Sequence, residues 1–141
     1  MSETNPPSVE LRALERLVGT WAVTGGAEGT VRYEWMPGRY FLIQHVELTQ
    51  SGEPVTGMEL IGNLRPFGEP AGKDVVSRYY DSNGNTFDYV YELVGDKLTI
   101  WAGERGSPAY FEGVFNADGT SATGDWVYPG GGGYTSTMTR I

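Results

Sequence analysis

From Lys73 to Ala102 the chain reads KDVVSRYYDSNGNTFDYVYELVGDKLTIWA, three runs rich in apolar and aromatic residues divided by Asn83-Gly84 and Gly95-Asp96. Val, Tyr, Phe, Thr, Ile and Trp suit a pleated, half-buried surface, and the two dipeptides supply the positive φ that two-residue hairpin turns need. The stretch therefore predicts two successive antiparallel hairpins. Residues facing each other across a hairpin project to the same side of the sheet. With two residues in each turn, Tyr80 faces Phe87, Arg78 faces Tyr89, Val76 faces Tyr91, Leu93 faces Leu98 and Tyr91 faces Ile100. Both turns put these residues on one face, the more apolar of the two, and that face is expected to point inward.

The same rhythm runs outward from this stretch in both directions. Strands are expected near residues 19–25, 29–36, 39–50, 55–63, 73–80, 86–94, 97–102, 108–116, 120–128 and 134–141, with turns at Pro37-Gly38, Ser51-Gly52 and Asp118-Gly119 as well. A meander of so many strands leaves two exposed edges unless it closes on itself. The expected fold is all-β, an antiparallel up-and-down barrel of about 8–10 strands with a short N-terminal helix; a sandwich is the alternative. Ser8 is placed to cap that helix, Leu11, Leu14, Leu17 and Val18 give it an apolar stripe over residues 9–18, and Gly19 stops it. Residues 1–7, polar and carrying Pro6 and Pro7, read as a flexible tail, and residues 8–141 as one domain. The loop at residues 64–72, with two prolines and two glycines, is the expected site of a barrel mouth. Pro129 to Gly133 is a second flexible connection; no Lys with Ser or Thr follows as a phosphate loop requires.

Composition narrows the function classes. The chain has 141 residues, a length suited to one compact domain, and 13% aromatic residues argue against disorder. Its net charge is −8, and its eight Arg and two Lys are scattered, so no basic stripe is available for nucleic acid. The absence of Cys removes disulfides and thiolate metal sites, and a single His makes a zinc site a poor expectation. No apolar run approaches the roughly 20 residues that span a bilayer, and the N-terminal residues lack a secretory pattern. The expectation is a cytoplasmic protein with no membrane partner, no metal and no cofactor.

Gly19-Thr20-Trp21, directly after the helix and opening the first strand, resembles the Gly-x-Trp signature of lipocalins and the wider calycin barrels. The last strand ends in Thr139-Arg140-Ile141, and in such barrels an Arg from the last strand often crosses the face of that Trp. The resemblance implies a structural Trp21–Arg140 pair at the closed end, a cation–π contact worth about 0.5–2 kcal/mol. The wider pattern, Leu14-x-x-Leu17-Val18-Gly19-Thr20-Trp21, the hairpin from Glu34 to Leu42 and Asp81-Ser82-Asn83-Gly84, is similar to uncharacterised bacterial lipocalin-like domains. Nitrobindin-like haem barrels are a more remote relative. They use a histidine from the C-terminal part of the barrel, whereas His45 here lies on the third expected strand.

Among individual residues, Arg78 stands out, because a guanidinium on an aromatic inner face needs an acceptor to offset its desolvation. It is the candidate anchor for an anionic group on a ligand, with an internal ion pair or a register slip as the plain alternatives. Tyr80, Tyr89 and Tyr91 are candidates for stacking or hydroxyl contacts. Pairing about Pro37-Gly38 groups His45 with Thr30, Arg32, Glu34 and Phe41, and puts Val31, Tyr33, Trp35, Tyr40, Leu42 and Gln44 opposite. The second group is the expected inner face, which adds Tyr33, Trp35 and Tyr40 to the ligand-binding candidates. Glu112 faces Asp125 if Asp118-Gly119 is a two-residue turn, and both are expected on the outer face.

These readings lead to an expected function: binding of a small, largely apolar or aromatic molecule, with Arg78 serving an anionic group if the ligand carries one. No catalytic motif is recognisable. The alternative is a small barrel enzyme, a cyclase or isomerase of secondary metabolism using the same cavity, and a solidly packed barrel is the third possibility. A homodimer through an exposed edge or the helix face is compatible with the sequence, though no motif demands it.

Overall fold

The computed structural model describes residues 6–141; the expected tail at 1–7 lies, in its first five positions, outside the described residues. Ten antiparallel strands follow one another: β1 Gly19–Gly25, β2 Glu28–Trp35, β3 Phe41–Gln50, β4 Glu53–Gly62, β5 Val75–Asp81, β6 Thr86–Val94, β7 Lys97–Ala102, β8 Tyr110–Phe115, β9 Ser121–Val127 and β10 Tyr134–Arg140. Each pairs with its neighbours in the chain, and β1 pairs with β10, so the sheet closes into an up-and-down barrel. Closure gives each of these ten strands a neighbour on both sides, so none is an edge strand. A closed ten-strand antiparallel barrel is compatible with a lipocalin-like fold.

The expected N-terminal helix is present in two pieces. Val9–Arg12 is α-helical, α1, with the Ser8 side chain accepting from the Leu11 amide, and Ala13–Leu17 continues as a 3-10 helix. The spacing explains the tighter winding. Leu11, Leu14 and Leu17 are three residues apart, and a 3-10 helix stacks side chains at that interval on one line. All three are buried against Trp21, Leu42, Ile61, Val75 and Phe115, so the helix closes one end of the barrel.

The loop expected at the mouth, residues 64–72, is instead at this plugged end, because it joins the last residue of β4 to the first of β5. Asn63 fixes its base, with Nδ2 donating to the carbonyls of Gly72 and Asp74 and Oδ1 accepting from Ser8 Oγ. The open end carries the connections at residues 26–27, 51–52, 82–85, 103–109 and 128–133. Among the described residues no helix is long and apolar enough to cross a membrane.

Register decides what faces inward. Gly95-Asp96 is a two-residue turn, with Leu93 opposite Leu98 and Tyr91 opposite Ile100 as expected. At Asn83-Gly84 the register differs by one: Tyr79 faces Phe87, Arg78 faces Asp88 and Ser77 faces Tyr89. The cause is Asp81. Its Oδ1 accepts from the amides of Asn83 and Asn85, and its backbone exchanges hydrogen bonds with Gly84 and Asn85, which widens the turn to three residues. A one-residue slip exchanges the faces of a strand. Val76, Arg78 and Tyr80 therefore point out, and Val75, Ser77 and Tyr79 point in.

Candidate functional site

Inside the barrel is a cavity of about 390 Å³. Its walls differ in chemistry from one side to the other. Val23, Val31, Val46, Leu48 and Val55, from β1 to β4, form an aliphatic side. Opposite them runs an aromatic arc from β5 to β9: Tyr79 stacks on Phe87, Phe87 meets Tyr89, and Trp126 lies 5.9 Å from Tyr89 and 5.4 Å from Phe111 between ring centroids. Gly113 gives the arc its room. A Cβ there would sit 2.7 Å from the Phe111 ring, so only glycine lets that ring lie along the wall.

The deeper part of the cavity is polar. Glu59 on β4 stands between Gln44 on β3 and Tyr79 on β5, with 3% of its surface exposed. Ser77 Oγ donates to its Oε2 at 2.5 Å, and Tyr91 OH donates to the same oxygen at 2.8 Å. Beside it, Gln44 Nε2 donates to the Tyr33 hydroxyl at 2.8 Å. Both of these hydrogen bonds fall on Oε2, and Glu59 is part of the cavity lining.

Burial sets the electrostatics of this floor. Desolvation raises the Glu59 pKa to about 7, against the lowering effect of the Ser77 and Tyr91 hydrogen bonds. Tyr33, Tyr89 and Tyr91 are pushed up by burial first and by the Glu59 charge second. Tyr79 rises to about 12 through burial and the nearby Asp81 carboxylate. Glu59 and Asp81 are the charged residues of the lining, and no Arg, Lys or His is among the described residues that form it.

Of the residues expected to bind a ligand, Tyr33, Tyr89 and Tyr91 line this cavity. Arg78 does not. It lies on the outer wall, where its Nε donates to Asp88 Oδ1 at 2.7 Å, and Tyr80 is exposed beside it. Trp35 donates from Nε1 to Glu15 Oε1 at 2.6 Å, and the Tyr40 ring lies under the Arg65 guanidinium, so both belong to the plugged end. There too Arg140 sits 4.2 Å above the centroid of the Trp21 ring. His45 and Glu34 form a 2.7 Å contact outside the barrel, as the grouping about Pro37-Gly38 implies. Glu112 and Asp125 are paired in register on the outer face, Glu112 beside Lys97 and Asp125 accepting from Thr135. Among the described residues no group of three or more His, Asp and Glu side chains is placed to hold a metal ion.

Glu59 is the residue that the sequence reading missed. The signal was present. Ser51-Gly52, taken as a two-residue turn, places Glu59 opposite Gln44 and on the inner face with Leu42 and Val46, and that is the observed register.

No protein-family model matches this chain, and comparison with curated proteins returns no match.

Proposed function

We propose that the protein binds a small, largely apolar molecule inside the barrel. The observation that supports this best is the aromatic-walled cavity, closed at one end by the Leu11, Leu14 and Leu17 plug and reached from the other. Pockets for small molecules are of this kind, mostly apolar with a few placed polar groups that fix orientation. The cavity volume of about 390 Å³ falls within the range of such pockets. With Arg78 outside, the polar groups at the floor of the cavity are Glu59, Gln44, Tyr33 and Tyr91 rather than a guanidinium.

The test is a fluorescence titration with N-phenyl-1-naphthylamine, a neutral aromatic dye. Saturable one-to-one binding with a blue-shifted emission is expected. Val55→Trp, which sets an indole across the open end, should abolish it while the unfolding midpoint stays near that of the parent. Absence of saturable binding to the folded parent would overturn the reading.

Glu59 also favours a second reading, a barrel isomerase. A carboxyl that titrates near neutrality is suited to take a proton from one carbon of a bound substrate and return it to another. Turnover lost in Glu59→Gln with dye binding retained would select it over simple carriage.

A further inference from the structure

The cavity floor holds a carboxyl that no cation among the described residues of the lining faces. Each titratable or polar group packed around Glu59 is neutral or acidic: Tyr33 from β2, Gln44 from β3, Ser77 and Tyr79 from β5, and Tyr89 and Tyr91 from β6. Asp81, the other charge of the lining, sits at the open end on β5 and is acidic too. A buried carboxylate is strongly favoured when an opposite charge is brought to it, and penalised when a like charge is. Oε2 already accepts from Ser77 and Tyr91, and Glu59 is part of the cavity lining. Above it, the Tyr89, Phe111 and Trp126 rings offer π faces that attract cations and stack on planar groups. The net charge of −8 raises the local concentration of cations at the protein surface before any contact is made.

We infer that the molecule held in the barrel is an apolar amine, its protonated nitrogen directed at the Glu59 carboxyl and its body against the aromatic arc. This rests on the reading that the cavity binds small molecules at all. It replaces an anionic head group, anchored by Arg78, with a cationic one. The ligand supplies the counter-charge that the described residues of the lining do not. Binding then takes the proton off Glu59, because the amine stabilises the carboxylate. The tyrosines around Glu59 stay protonated throughout the neutral range, and Asp81 is held below the usual carboxylate range despite partial desolvation, by hydrogen bonds from Asn85 and Asn83. Glu59 is thus the group in the cavity whose charge changes near neutrality.

Three probes of nearly one shape separate the head groups: 2-naphthylmethylamine, 2-naphthalenemethanol and 2-naphthoic acid, titrated calorimetrically at about pH 7.5 into the folded protein. The amine should bind at least about tenfold tighter than the alcohol, and the acid weakest. In Glu59→Gln the amine and alcohol should fall within about threefold of each other while the alcohol still binds. A wild-type protein that binds the alcohol or the acid as tightly as the amine overturns the inference, and so does a preference that survives in Glu59→Gln. Should that variant fail to fold, the wild-type protein gives an independent answer. Amine titrations near pH 6.5 in two buffers of different ionisation enthalpy should show release of up to about one proton, and the alcohol none; equal proton release for both overturns the inference. If none of the three probes binds the folded protein, the cavity-binding reading fails and takes this one with it. If the alcohol binds but the amine gains nothing, only the amine inference fails.

Discussion

Tyr91 and Glu59 are 32 residues apart in sequence and two strands apart in the barrel, yet the phenol donates a 2.8 Å hydrogen bond to the carboxyl across the width of β5. Ser77, on the strand between them, donates to the same oxygen. This arrangement satisfies a buried acid without neutralising it.

The consequence for stability follows from linkage. Glu59 has its pKa raised from 4.5 to about 7 in the folded protein, so between those values the native state holds a proton that the unfolded state has lost. Stability falls as pH rises through that window and levels off above about 7. The full effect is roughly 3 kcal/mol. Carboxylates with lowered values, Glu34, Asp81, Asp88 and Asp118, act only at more acidic pH and with the opposite sign. Urea unfolding of the parent should show this decline from pH 4.5 to about 7, and Glu59→Gln should flatten it. Identical slopes in the two proteins would place the titration elsewhere.

The aromatic arc carries a second prediction. Removing the Trp126 indole deletes the ring between Tyr89 and Phe111, so Trp126→Ala should weaken N-phenyl-1-naphthylamine binding by about tenfold. A fluorescence titration checks it. Unchanged affinity would move the ligand away from β9.

Arg78→Ala supplies the contrast. Its guanidinium is outside the barrel with Asp88, so affinity for the dye and for 2-naphthoic acid should stay within about twofold of the parent. Loss of binding in this variant would mean that a ligand sits on the outer wall of β5 and β6.

At the plugged end, Arg140 donates from Nη1 to the Val18 carbonyl at 2.6 Å and from Nη2 to the Arg16 carbonyl at 2.7 Å while covering the buried Trp21 ring. A lysine offers neither the fork nor the planar face. Arg140→Lys should therefore destabilise the barrel almost as much as Arg140→Leu, by roughly 3 kcal/mol in chemical unfolding. Gly19 belongs to the same unit, since a Cβ there would lie 2.5 Å from Nη1 at a φ of +126°. Gly19→Ala should lower stability comparably.

These residues also mark what was legible beforehand. All ten strands, the closure of the meander and the Ser8 cap follow from local signals: β-branched and aromatic runs, turn dipeptides and one N-cap. Tyr89 and Tyr91 could be placed because the Gly95-Asp96 turn has the length that its sequence suggests. Arg78 and Tyr80 were misplaced because the Asp81 side chain draws one more residue into the next turn, and a period of two turns that single residue into an exchange of faces. The mouth was misplaced for a different reason. Loop length does not tell which end of a barrel a connection is on, whereas the parity of strand order does: every second connection, including residues 63–74, shares the end with the N-terminal helix.

The most direct test of a hollow, ligand-binding barrel is a nuclear magnetic resonance titration of labelled protein with N-phenyl-1-naphthylamine. The account predicts saturable shifts at the Trp126 indole, the Tyr89 and Tyr91 rings and the Val46 methyls, with Arg78 and Tyr80 on the outer wall unmoved. Shifts confined to the outer wall, or none at dye concentrations that saturate ordinary apolar cavities, would contradict it.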